Sequence, residues 1–134
     1  LYAGSISDFE QSLNAAPTAR AAVSSLLGSV AVAFTGESTP RGCLLASATA
    51  SVSQDALDVQ AAVAKVRGDI VDCLTRRIAR DVVAGQLPEA TQPALLALLT
   101  VAVIQGMSVL ARDGLGRESL ESVAAASLQA WPKT

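Results

Sequence analysis

One run near the C-terminus, residues 93–113 (PALLALLTVAVIQGMSVLARD), limits what this chain can fold into more than any other. It carries no charge before Arg112, and ten of the eleven residues from 94 to 104 are apolar, Thr100 being the exception. A helix that is apolar nearly all round needs cover on more than one side. A single small domain covers one face. The other face must meet a second molecule, or the helix must lie in a bilayer. The uncharged run 90–111 is 22 residues long, and a membrane span needs about 20. Length therefore permits a span, but composition argues against one. Thr91, Gln92, Thr100, Gln105 and Ser108 dilute the run, no aromatic belt flanks it, and Glu89 stands where a basic flank would be expected. Its neighbours are amphipathic, with charged faces. The expectation is a soluble core helix and no membrane, with one face in its own bundle and the other against a second copy.

At 134 residues the chain suits one domain with a real core. It is 51% hydrophobic and 16% charged, against about 25% charged for an average globular protein. Disorder is excluded, and much apolar area must be hidden. Alanine, the best helix former, is abundant, and the aromatics are only Tyr2, Phe9, Phe34 and Trp131. These features predict an all-α domain with closely approaching helices. A net charge of −2 with no basic stripe excludes direct nucleic-acid binding by these residues. Arg76, Arg77 and Arg80 read as a solvated helix face. Cys43 and Cys73 form neither a disulfide framework nor a metal motif, and both read as buried small residues. The chain has no histidine, no phosphate loop and no nucleophile beside a base. No enzyme activity, metal or cofactor is expected.

Taken in order, residues 1–13 place Tyr2, Ile6, Phe9 and Leu13 at helical steps, the tail of a helix expected to enter from upstream. Residues 14–17 are a break before Pro17. A second helix is predicted over 17–35, with Pro17 in its first turn and Val23, Leu26, Leu27, Val30 and Phe34 on its apolar side. Residues 36–40 read as a loop, and 42–52 as a short helix, since no other strand exists to pair with it. A long helix is predicted over 55–85, where Val59, Val63, Val66, Ile70, Leu74, Ile78 and Val82 recur at threes and fours. Gly68 marks a place for close packing or a bend, and Gly85 a stop. After the 93–113 helix, Gly114 and Gly116 lead into a last, Ala-rich helix over 117–131.

Four motifs in this order resemble the C-terminal regulatory domain of TetR/AcrR-type bacterial transcriptional regulators. RGCLL at 41–45, after Pro40, looks like the entry to the family's short sixth helix. RDVVAGQL at 80–87 looks like the end of its long seventh. The run 105–114 (QGMSVLARDG) looks like the end of the eighth, and 118–128 like the last helix. The resemblance covers nearly the whole chain from about Pro17 onward. It implies a helical bundle of about six helices over 1–134. The last two would form a four-helix dimer interface with a second copy. An effector pocket would lie inside the bundle, and a helix-turn-helix DNA reader, absent from these residues, would precede Leu1. Operator DNA would then be a partner only through that missing domain. The protein would be cytoplasmic, with a small apolar effector as its ligand. A purely structural dimerisation module without a pocket is the alternative.

Pocket candidates are taken by helix face: Phe9, Leu27, Phe34, Leu45, Val66, Ile70, Leu74, Leu99, Val103 and Met107 as apolar wall, and Thr49, Arg77 and Gln105 as polar groups that orient an effector. Gln105 is equally a candidate for the dimer interface. The interface candidates are Leu98, Val101 and Ser108 on the 93–113 helix, with Leu120, Ala124, Leu128 and Trp131 on the last.

Overall fold

The computed structural model describes residues 6–36 and 54–133. Among these the chain is all helix: α1 (Ile6–Ala15), α2 (Ala19–Thr35), α3 (Gln54–Val83), α4 (Pro93–Arg112) and α5 (Arg117–Leu128). The short helix expected over 42–52, with Cys43, Leu45 and Thr49, lies outside the described residues, as does the start of the segment 1–13.

Each boundary has a local cause. The break between α1 and α2 is tighter than the sequence suggests: α1 continues through Asn14 to Ala15 and α2 begins at Ala19. Thr18, not Pro17, opens α2. Its backbone is extended, and its Oγ1 accepts from the Ala21 N–H at 3.0 Å, satisfying one of the orphan donors of a helix start. Pro17 therefore stands outside the helix. The α3 and α4 stops share one device. Gly85 (φ 81°) and Gly114 (φ 103°) take the left-handed conformation that side chains disfavour. Around Gly85, the Gln86 N–H donates to Asp81 O and the Gly85 N–H to Val82 O; around Gly114, Leu115 donates to Leu110 O and Gly114 to Ala111 O. Both are Schellman caps. Pro93 sits in the first turn of α4, as expected. The last helix ends at Leu128, and three overlapping i→i−3 hydrogen bonds carry the chain to Trp131. Gly68 is not a close approach, because a methyl there would meet nothing within 4 Å.

α2 is the central helix and touches the other four, while α3 runs along α4 in the most extensive pairing. α5 packs on α2 and α4, and α1 lies across α3 and α2. Leu27, Leu74, Ile78, Ile104, Met107 and Leu120 are fully buried in one shared core. The α4 helix buries Leu96, Ala97, Thr100, Ile104, Met107, Ser108 and Ala111. That face includes the helix's two hydroxyl residues, while Leu95 and Leu98 are 57% and 55% exposed. Thr100 returns its hydroxyl to Leu96 O at 2.8 Å, so a small polar side chain fits the tight inner face at little cost.

Candidate functional site

Three features stand out: the outer face of α4, the core between α3 and α4, and the joint where α1 turns into α2.

The outer face of α4 presents Leu95, Leu98, Ala102, Gly106 and Val109, all exposed and spaced by threes and fours. By length and composition α4 could also cross a membrane, but its inner face is fully engaged in the bundle. Of the interface candidates, Leu98 lies on this outer stripe, and Val101 and Leu128 are half-buried. Ser108 and Leu120 have no exposed surface, Trp131 has 3% and Ala124 7%. Their own chain already covers them, so they have almost nothing left to give a partner. Leu95 and Val109, exposed on the same stripe, are not among the residues expected from sequence. In a run where nearly every position is apolar, periodicity cannot say which face looks outward.

Of the pocket candidates, Leu27, Phe34, Ile70, Leu74 and Met107 come together in the core, and Val66, Leu99 and Val103 are half-buried against it. Gln105 is half-buried on α4. Phe9 is also buried, but it lines a separate groove between α1 and α2 of about 500 Å³, together with Asp8, Ser12, Leu13, Ala22 and Leu26.

Arg77 differs most from expectation. It is neither a solvated basic residue nor turned toward the core between α3 and α4. It is buried, and its guanidinium is fully committed. Nη1 pairs with Asp81 Oδ1 at 2.6 Å, Nε donates to Leu13 O at 3.0 Å and Nη2 to Ala16 O at 3.1 Å. Asp81 Oδ2 accepts from the Ala19 N–H at 2.7 Å. The pair thus gives a cation to the carbonyl end of α1 and an anion to the amide end of α2, matching both helix dipoles. This is a tertiary cap, with partners more than sixty residues away, and no local pattern announces it.

Interleaved with this pair on α3, a second cluster ties down α1. Arg76 pairs with Glu10, Arg80 Nη1 donates to Asn14 Oδ1 at 3.2 Å, and the Cys73 thiol lies 3.6 Å from Glu10 Oε2 and 3.4 Å from Arg76 Nη2. The hydrogen bond and charge of Arg76 hold the Glu10 carboxyl below its ordinary range. Burial pushes the Cys73 thiol up, against the pull of Arg76. A thiol kept neutral and enclosed is a packing group, not a nucleophile. Among the described residues no cluster of His, Cys, Asp and Glu has metal-binding geometry.

A family model described as the tetracyclin repressor-like C-terminal domain matches residues 15–126. Among curated proteins, the HTH-type transcriptional repressor ComR of Escherichia coli (strain K12) is 27% identical over 112 residues, which cover 84% of this chain and 53% of ComR. Among solved structures, a cysteine variant of the TetR family transcriptional regulator CifR, complexed with 26-bp operator DNA, superposes with a TM-score of 0.85 at 32% identity, over 94% of this chain and 66% of that one. A protein described as a TetR transcriptional regulator from Rhodococcus sp. RHA1 gives 0.72 at 26% identity, over 96% and 66%. The chain thus spans about half the length of the curated relative and about two thirds of the solved ones.

Proposed function

The chain belongs to the tetracyclin repressor-like C-terminal domain family, and from that membership we propose that it is the homodimerising, effector-sensing part of a cytoplasmic transcriptional regulator. The observation that carries the dimer is the two-sidedness of α4. Its inner face is closed into the bundle, and its outer stripe of Leu95, Leu98, Ala102, Gly106 and Val109 is left apolar and exposed. Two such stripes meeting about a two-fold axis would cover each other, with the exposed side of α5 alongside. Small residues at 102 and 106 would let the helices approach closely. Operator DNA would be read by a segment preceding these residues, since the chain itself has no basic stripe. The effector would be small and apolar. It would bind where Val66, Ile70, Leu99 and Val103 border the core, with Gln105 as an orienting group.

Light scattering tests the dimer: a mass near twice 13.6 kDa is expected, and Leu98→Glu should halve it without loss of helix content. A wild-type monomer at high micromolar concentration would contradict the dimer. Native mass spectrometry of protein taken from cells tests the effector, since a co-purifying small molecule released on denaturation is expected. The complete burial of Leu27, Leu74, Ile104 and Met107 favours, as a second reading, a dimerisation module that holds no ligand. That reading gains if no mass shift is seen.

A further inference from the structure

The exposed stripe of α4 has an order of its own. Its five residues stand at −7, −4, 0, +4 and +7 from Ala102: Leu95, Leu98, Ala102, Gly106 and Val109. The spacing reads the same in both directions, but the sizes do not. The two leucines fill the first half, and the smallest residue stands at +4. Gly106 is not required by its own fold. A methyl there would meet nothing within 4 Å, and its backbone is not left-handed. Alanine would make the helix more stable. Gly28 and Gly68 share the open space, but they lie on polar surface, beside Ser24 and Ser25 and beside Lys65 and Asp72. Gly106 leaves a notch in an apolar one.

A two-fold contact can pair these residues in two ways. With the helices parallel, each residue meets its own copy. Leu98 faces Leu98 and Gly106 faces Gly106, which crowds one end and leaves a void at the other. With the helices antiparallel about Ala102, a residue before it meets the one equally far after it on the partner. Leu98 then enters the notch at the partner's Gly106, and Leu95 meets the partner's Val109. Each leucine meets a smaller residue, twice over, and the voids are filled. Any other antiparallel register leaves part of the stripe uncovered. The antiparallel order also sets the amide end of each α4 beside the carbonyl end of the other, where helix dipoles attract.

Resting on the dimer reading above, we propose that the two α4 helices cross antiparallel on an axis at Ala102, with Leu98 of each seated on the partner's Gly106. Leu98 and Gly106 then select the partner and its register. A similar apolar face without the notch is excluded by the leucine that has nowhere to go.

The test is disulfide trapping with single cysteines placed in the full chain after Cys43→Ala and Cys73→Ala, oxidised with diamide. Ala102→Cys should link to its own copy. Leu98→Cys alone and Gly106→Cys alone should not, because equal positions then lie about 12 Å apart along the helix axis, beyond the reach of a disulfide. Once the two variants have exchanged subunits, they should link to each other. Self-linking of Leu98→Cys would overturn the proposal, as would a mixture that does not link in a protein dimeric by light scattering. Size exchange, read by sedimentation, gives a second measure. Gly106→Leu should weaken association by about a hundredfold, and Leu98→Ala/Gly106→Leu, which moves the large residue to the other position, should regain about tenfold of it. No regain would also overturn the proposal. Both positions are exposed, and circular dichroism checks that the helices survive. A wild type that stays monomeric at high micromolar concentration overturns the dimer and this inference together, whereas a dimer with the wrong links overturns this inference alone.

Discussion

Arg77 shows what a single residue can hold. Its guanidinium suits a planar fork of acceptors, and here each of its three nitrogens serves one: a carboxylate and two helix-end carbonyls. Removing one partner of a buried pair strands the other's charge at a cost of about 3–5 kcal/mol, while removing both together is often close to neutral. Arg77→Ala should therefore lower the stability measured by urea unfolding by about that amount, and Arg77→Met/Asp81→Asn, which keeps an acceptor for the Ala19 N–H, should recover only part of it, since the carbonyls of Leu13 and Ala16 still lack their donor. None of this was legible from sequence. An arginine beside Arg76 and Arg80 reads as part of a charged face, and its partners are backbone atoms in another segment. Glu10 gives a pH signature instead. Its carboxyl is held low by Arg76, so its contribution is present at neutral pH and is lost as pH falls through the lowered value, when the folded state takes up the proton. A melting-temperature series should show wild type above Glu10→Gln at pH 7, with the two converging in acid.

At the scale of the element, the helices were readable because apolar residues recur at threes and fours. The stops of α3 and α4 were readable because glycine follows. Gly85→Ala forces a methyl into a left-handed backbone and should destabilise by about 1 kcal/mol or more. Gly68→Ala, in mid-helix with open space around it, should stabilise by up to about 1 kcal/mol. A pair of denaturation curves of opposite sign checks both. The faces of α4 were not readable, because the usual binary code is inverted there. Thr100 and Ser108 go inward as small groups, and Thr100 donates its hydroxyl to the Leu96 carbonyl one turn back. Leu95 and Leu98 go outward.

At the scale of the whole molecule, the apolar excess of the sequence pointed to a helix needing cover on two sides, and the fold accounts for one of them. If a second copy supplies the other, stability and association are linked by mass action. The melting temperature should then fall on each tenfold dilution of the wild type, and should be independent of concentration in Leu95→Glu/Leu98→Glu. Scanning calorimetry at several concentrations distinguishes the two. The α1–α2 joint depends on the same long reach through the chain. Ala19 and Asp81 are 62 positions apart.

That separation sets an order of events in time. Chains are synthesised at roughly 5–20 residues per second, so residue 81 is added on the order of 3–12 s after residue 19, at those rates. Through that interval α1 and α2 can coil by their own local bonds, but the angle between them has no keeper. A segment attached ahead of α1 would finish folding first and wait, loosely tethered, until α3 is complete enough to lock it into register.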